Sequence, residues 1–261
     1  MNIKNAIVIV TGAASGIGAA IALSFAKLNA GLCITDINKE DLHKTSIECQ
    51  KLSKIKVLQI VADLRKNEDL ESIVKSALNE FGRIDVLVNA AGIYLASKLQ
   101  DYDIIEKFDK IIGINLRSVV AMTNKTLPAL IESKGCIINL SSVCSTNIMS
   151  DNLGYSMAKA GVVTLTKHAA FELADFGVRV NCISPGPAKT NILKNAGFDD
   201  DQIHEYRNAL IEKIPLKKMV KVEEIAELAV YLASDKAASI TGSDLLVDAG
   251  MALGVINSPT K

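Results

Sequence analysis

Tyr155 and Lys159 stand four positions apart in the stretch LGYSMAKAG, so a helix there would carry both on one face. A phenol can give a proton to an alkoxide and, as phenolate, take one from an alcohol. Its ordinary pKa of about 10 is too high for that work near neutrality, and a neighbouring cation favours the phenolate. A shift of about three units needs about 4 kcal/mol, whereas an exposed ion pair supplies roughly 0–1 kcal/mol. The pair is therefore useful only in a water-poor cleft that holds a further positive charge. Taken alone it reads equally as a half-exposed aromatic beside a solvated lysine. Ser142, thirteen residues earlier, could hold a substrate oxygen against Tyr155, or could cap a turn, as could Ser141 beside it. Asn115, in GINLRS, is a poor helix former inside a helical pattern. It suits either a held water that links Lys159 to solvent, or a kink or satisfied core amide.

The missing positive charge has a candidate source. TGAASGIG (11–18) follows an apolar run and opens a helical one. Gly12 suits a tight turn, while Gly16 and Gly18 allow backbone to approach phosphate and sheet. The following helix would offer free N–H groups and a positive dipole end to a pyrophosphate. Asp36 lies about 20 residues further on, where a carboxylate accepts hydrogen bonds from ribose hydroxyls and repels a 2′-phosphate. Neither Ser15 nor Ile37 supplies a cation, so NAD is expected over NADP. Asp63 ends another apolar run and reads as a contact to an adenine amino group or as a helix N-cap.

These residues need a scaffold that brings loop ends together. Apolar runs at 6–10, 32–35, 56–63, 84–92, 135–142, 178–186 and 244–250 alternate with helical patterns. Continuous Val/Ile/Leu strands flanked by helices are buried on both faces of a parallel sheet. The expectation is an α/β fold, a single-domain, doubly wound, seven-stranded parallel sheet of Rossmann-like type over residues 1–255. A long amphipathic segment covers about 101–131, and a long helix covers 155–177 and stops at Gly177. The irregular stretch of about 187–215 contains Ile192, Leu193, Phe198 and Tyr206, which favours a lid over a solvated connection. Residues 256–261 read as a disordered tail.

Composition narrows the classes. Lysine plus arginine equals aspartate plus glutamate at 29 each, which argues against nucleic-acid binding by phosphate neutralisation. No apolar run reaches membrane-spanning length, and no secretory core opens the chain. Five scattered cysteines without a C-x-x-C, and three distant histidines, argue against disulfides and metal and for a cytoplasmic setting.

Along nearly its whole length the sequence resembles the short-chain dehydrogenase/reductase family. The residues that carry the resemblance are TGAASGIG at 11–18, Asp36, Asp63, NAAG at 89–92, Asn115, Ser142, YSMAK at 155–159 and PGPAKT at 185–190. The resemblance implies a catalytic set of Ser142, Tyr155 and Lys159 with Asn115 as relay, and Lys159 also bonding the nicotinamide ribose. It assigns cofactor contacts to Gly12, Ser15, Gly16, Ile17, Gly18, Asp36, Asp63, Leu64, Asn89, Ala90 and Gly92. It adds Pro185, Gly186, and Ala188 with Thr190 at the carboxamide end. It also implies a homotetramer in which helices near 101–131 and 155–177 pack across one interface.

Two positions depart from the family pattern. Ala90 stands where many members have a second asparagine, and VCS follows Ser142 where VAG is common, so Cys144 and Ser145 should narrow the substrate pocket. The expected substrate contacts are Ser142, Cys144, Tyr155 and Pro187, with Ile93, Tyr94, Met149, Leu153, Ile192 and Leu193 around them. These mainly apolar residues suit a small alcohol or ketone with an apolar body, whether steroid-like, acyl or aliphatic, though sugar alcohols fit the class too. The leading expectation is NAD-dependent interconversion of a secondary alcohol and a ketone. A 3-oxoacyl reductase using NADPH and a catalytically silent NAD-binding sensor are the alternatives.

Overall fold

The computed structural model describes residues 3–254. The expected domain end at 255 and the expected tail at 256–261 lie outside the described residues. Seven strands form one sheet: β1 (Ile7–Thr11), β2 (Gly31–Asp36), β3 (Val57–Val61), β4 (Val86–Asn89), β5 (Cys136–Leu140), β6 (Arg179–Pro185) and β7 (Asp244–Val247). Their order is β3-β2-β1-β4-β5-β6-β7, and every pairing is parallel. The order reverses between β1 and β4, so the loops after these two strands diverge and leave a crevice at their carboxyl ends.

Side-chain alternation builds the layers. Val8 and Val10 of β1 point to one face, where α1 (Gly16–Lys27), α2 (Lys39–Leu52) and α9 (Val222–Ala233) bury Ile21, Phe25, Leu42 and Ile225 against them. Ile9 points to the other face, where α3 (Asn67–Phe81), α5 (Ser118–Ser133) and α6 (Leu153–Leu173) bring Ile73, Met122 and Leu173. Burial on both faces is what the unbroken apolar runs require. The helix of the 155–177 stretch begins at Leu153, and a short 3-10 turn carries it to Gly177 at φ 74°.

The helical stretch expected over 101–131 is not continuous. It runs as α4 (Ile104–Ile112), then a π turn (Gly113–Arg117), then α5. Asn115 sits in that π turn, so its poor helix propensity marks a real irregularity, the widened kind that tends to occur at functional sites. The 187–215 stretch folds into α7 (Ile192–Asn195) and α8 (Asp200–Lys213). The acidic run there has a local cause: Asp199 caps α8 in a reciprocal box with Gln202, and Asp200 and Asp201 meet the positive end of the helix.

Two glycines let the switch point close. Gly12 has φ +68°, and a Cβ there would lie 2.6 Å from Ala91 Cα, so the loops after β1 and β4 touch only because that atom is missing. A Cβ on Gly18 would lie 2.1 Å from the carbonyl oxygen of Gly12. Gly18→Ala should therefore force the loop off α1, lower stability by about 1–3 kcal/mol and abolish dinucleotide binding. Urea unfolding and cofactor fluorescence titration check this, and unchanged binding would show that the loop can give way.

Candidate active site

The glycine loop leaves β1 and enters α1 at Ser15, whose side chain makes no cap bond. No acidic residue occupies the first turn of α1, which contains Gly16, Ile17 and Gly18. The positive end of that helix is thus left for an external anion. Asp36, the last residue of β2, accepts from Ala14 N–H at 3.1 Å and from Asn38 N–H at 3.0 Å. It braces the glycine loop at the crevice edge, and Asn38 caps α2. Beside it Ile37 is 64% exposed and brings no charge.

Asp63 does not take the cap role that its sequence position also allowed. Helix α3 begins only at Asn67 with Lys66 before it, so Asp63 is not its cap. Its carboxylate is paired with Arg65 at 2.6 Å, and this guanidinium holds the acid below its ordinary range. Its N–H is taken by Asp69 at 2.7 Å, while Leu64 next to it is buried. A contact from the Asp63 carboxylate to an adenine amino group would have to be shared with Arg65.

Thr11, which sequence reasoning did not single out, fixes the other side of the crevice. Its hydroxyl accepts from Ala90 N–H at 3.1 Å and Ala91 N–H at 3.2 Å. Position 90 is therefore held by its backbone, which explains how alanine serves there. Asn89 is buried, and its amide donates to Asn139 at 2.9 Å, which in turn donates to Thr166 of α6 at 3.0 Å. This polar ladder ties β4 and β5 to the helix that carries Tyr155 and Lys159.

Lys159 is only 4% exposed, and its ammonium donates to Leu140 O at 2.8 Å and lies 5.6 Å from the centre of the Tyr155 ring. Ser141 donates to Lys159 O at 2.8 Å, so it is the serine that fastens α6 to the end of β5. Ser142 takes the turn role foreseen for its neighbour, accepting from Cys144 N–H at 3.1 Å. Its hydroxyl near Tyr155 favours the phenolate. Burial acts more strongly, raising the Tyr155 phenol well above its ordinary value and lowering Lys159 to about 8. The protein groups alone do not make the phenol acidic, as the sequence argument on a further positive charge requires.

Asn115 is fully buried, and both halves of its amide are engaged. Its Oδ1 accepts from Ile93 N–H and its Nδ2 donates to Ile93 O, each at 2.8 Å. The side chain is a clamp on the chain after β4, the satisfied core amide that was one of its two expected readings. Between the clamp and Lys159 lies Gly92, where a Cβ would be 3.5 Å from both Asn115 Oδ1 and Lys159 Nζ.

Ser142, Cys144, Met149, Tyr94, Tyr155, Pro185, Gly186, Pro187, Ala188, Thr190, Ile192 and Leu193 line one cavity. Cys144 Sγ lies 3.6 Å from Met149 Sδ and accepts from Asn152 Nδ2 at 3.4 Å, forming one wall. Tyr155 meets Tyr94 edge-on, ring centres 5.8 Å apart, and Tyr94 lies 6.4 Å from Phe198 between α7 and α8. Thr190 reaches across to Gly16, where a Cβ would be 3.1 Å from its methyl. Ile93 and Leu153 do not line the cavity.

Asn152, Arg207, Leu210 and Met219 also line it and were not foreseen. A signal for Arg207 and Leu210 existed: with Ile203 they fall at i, i+4 and i+7, the inward stripe of α8.

A family model described as enoyl-(acyl carrier protein) reductase matches residues 12–252. The chain is 33% identical over 257 residues to the 3-oxoacyl-acyl-carrier-protein reductase FabG of Thermotoga maritima, covering 97% of this chain and 100% of that one. It is 33% identical to a D-beta-hydroxybutyrate dehydrogenase of Rhizobium meliloti, covering 93% and 96% respectively. The crystal structure of a 3-ketoacyl-(acyl-carrier-protein) reductase from Brucella melitensis complexed with NADH superimposes with a TM-score of 0.87 at 31% identity, covering 96% and 99%. The chain belongs to the short-chain dehydrogenase/reductase family, oxidoreductases that bind a nicotinamide cofactor. Among the described residues no helix is long and apolar enough to cross a membrane.

Lys159 also gives a pH test. A lysine whose folded pKa is about 8 against an ordinary 10.5 costs stability below pH 8, and the cost fades as pH rises toward 10.5. Lys159→Met removes the titration. Its stability relative to the native chain should fall by about 2 kcal/mol between about pH 7 and about pH 9.5. Urea unfolding of both proteins without cofactor measures it, and a constant difference would mean that Lys159 is not desolvated.

Proposed function

We propose that this protein is an NAD-dependent oxidoreductase that interconverts a secondary alcohol and a ketone. The observation that carries the reading is the buried Lys159 ammonium 5.6 Å from the centre of the Tyr155 ring, with Ser142 and Tyr155 lining one cavity. The glycine cradle, the open positive end of α1 and Gly92 beside Lys159 fit a dinucleotide. A bound nicotinamide supplies the acceptor or donor of the hydride and, when oxidised, a positive charge.

The chain's own residues handle the oxygen and its proton. Ser142 holds the substrate oxygen beside Tyr155. In oxidation the substrate loses a hydride from carbon and its hydroxyl proton to the phenolate; in reduction the phenol returns that proton. Lys159, buried and positive, offsets the phenolate charge in a site where water does not screen it. Asn115 and Ser141 keep this geometry by clamping Ile93 and fastening α6.

For the cofactor, Asp36 and uncharged Ile37 support NAD, since a carboxylate there repels a 2′-phosphate. The NADH complex of the Brucella relative supports the same choice. The full-length similarity to the Thermotoga reductase favours a second reading, a 3-oxoacyl reductase working with NADPH. We further propose a homotetramer in the cytoplasm. Exposed Phe171 on α6 and Val120 on α5 are apolar side chains that a second copy would cover, and all five cysteines are free thiols.

Tyr155→Phe should lower turnover by roughly 100- to 10,000-fold while NAD still binds. Retained turnover on a panel of secondary alcohols, followed by absorbance of the reduced cofactor, would reject Tyr155 as the acid/base. Asp36→Ala combined with Ile37→Arg should raise the NADP-to-NAD ratio of kcat/KM. A native protein that already favours NADPH would overturn the assignment of NAD and promote the second reading.

A further inference from the structure

Helix α8 lays Ile203, Arg207 and Leu210 along one face, and Ile203 and Leu210 are buried. The apolar stripe is interrupted by a cation at the position where packing alone calls for a hydrocarbon. Arg207 lines the same cavity as Ser142 and Tyr155, and among the described residues no other that lines it is charged. A guanidinium has five N–H donors, and Arg207 spends one bond, from Nη2 to Thr190 O at 3.1 Å. Among the described residues no carboxylate pairs with it. Its neighbours in the cavity are largely apolar: Tyr206, Leu210, Met219, Ile192 and Leu193.

Arg207 is half-buried, so its guanidinium is partly withdrawn from water and gains from an anion beside it. Attraction to an opposite charge is screened less there than in open water, and a guanidinium presents paired donors that match a carboxylate. The Thr190 carbonyl takes one donor and steadies the side chain, which leaves the others for a ligand.

We infer that the substrate is a hydroxy or oxo carboxylic acid whose carboxylate is held by Arg207 while its carbinol or ketone oxygen lies between Ser142 and Tyr155. This rests on the alcohol–ketone reading above and narrows it to an acid. The carboxylate changes no bonds; it orients the chain so that the oxygen falls at Tyr155. Arg207 is a specificity-determining residue, placed by an element that also forms part of the cavity's cover.

The test compares the full chain on straight-chain 2-, 3- and 4-hydroxy acids with the matched hydroxy amides, in the presence of NAD or NADP. The native protein should favour the best acid over its amide by roughly tenfold or more in kcat/KM. Arg207→Gln should bring that ratio toward one, Arg207→Lys should restore part of it, and added salt should weaken turnover of the acid more than that of the amide. A native ratio near one, or an Arg207→Gln effect equal on acid and amide, overturns the inference and leaves Arg207 as a strut for Thr190. Turnover of neutral alcohols without acids overturns it too, while the alcohol–ketone reading stands. If no acid, amide or neutral alcohol is oxidised by a chain that binds cofactor, the wider reading fails and the acid assignment falls with it.

Discussion

The placement of one ammonium group governs the site. Lys159 is nearly excluded from water, and a bare cation in that setting is expensive. Its surroundings are arranged around that cost: the Leu140 carbonyl accepts from it, the Tyr155 ring lies alongside, and Gly92 leaves room for its end. The carbonyl of Lys159 itself is bound by Ser141, so the residue is held at both its side chain and its backbone. The same burial that raises the Tyr155 phenol lowers the Lys159 ammonium.

That placement depends on elements far apart in the chain. The end of β5 supplies Leu140, Ser141 and Ser142; α6 supplies Tyr155 and Lys159; the loop after β4 supplies Gly92. Parallel strands put these carboxyl ends on one edge of the sheet, and the buried ladder Asn89–Asn139–Thr166 keeps β4, β5 and α6 in register below it. The π turn between α4 and α5 turns Asn115 onto Ile93, which fixes the remaining loop. The reactive groups are thus positioned by polar bonds among buried residues as much as by packing.

Much of this was legible in the sequence, for identifiable reasons. The strands showed because runs such as AIVIV and CIINL must be buried on both faces, and the glycine loop showed because few other residues tolerate the approach to Ala91. Tyr155 and Lys159 showed because helical spacing is a local property. What did not show depends on distant partners. The Asn115 clamp joins residues 22 apart, so a continuous helix was the natural reading of its segment. Which of Ser141 and Ser142 takes the turn did not show, because Ser141 is drawn to a partner on α6 and Ser142 to one in the next turn. Asp63 was claimed by Arg65, two residues away, a pairing that helix and strand periodicities do not reveal.

The aromatic series Tyr155, Tyr94 and Phe198 gives the covering segment a further significance. Phe198 lies at the junction of α7 and α8, so raising that junction would strip the outer ring from the series and wet the inner ones. The outermost ring above the reactive phenol thus comes from the covering segment and not from the sheet or its flanking helices.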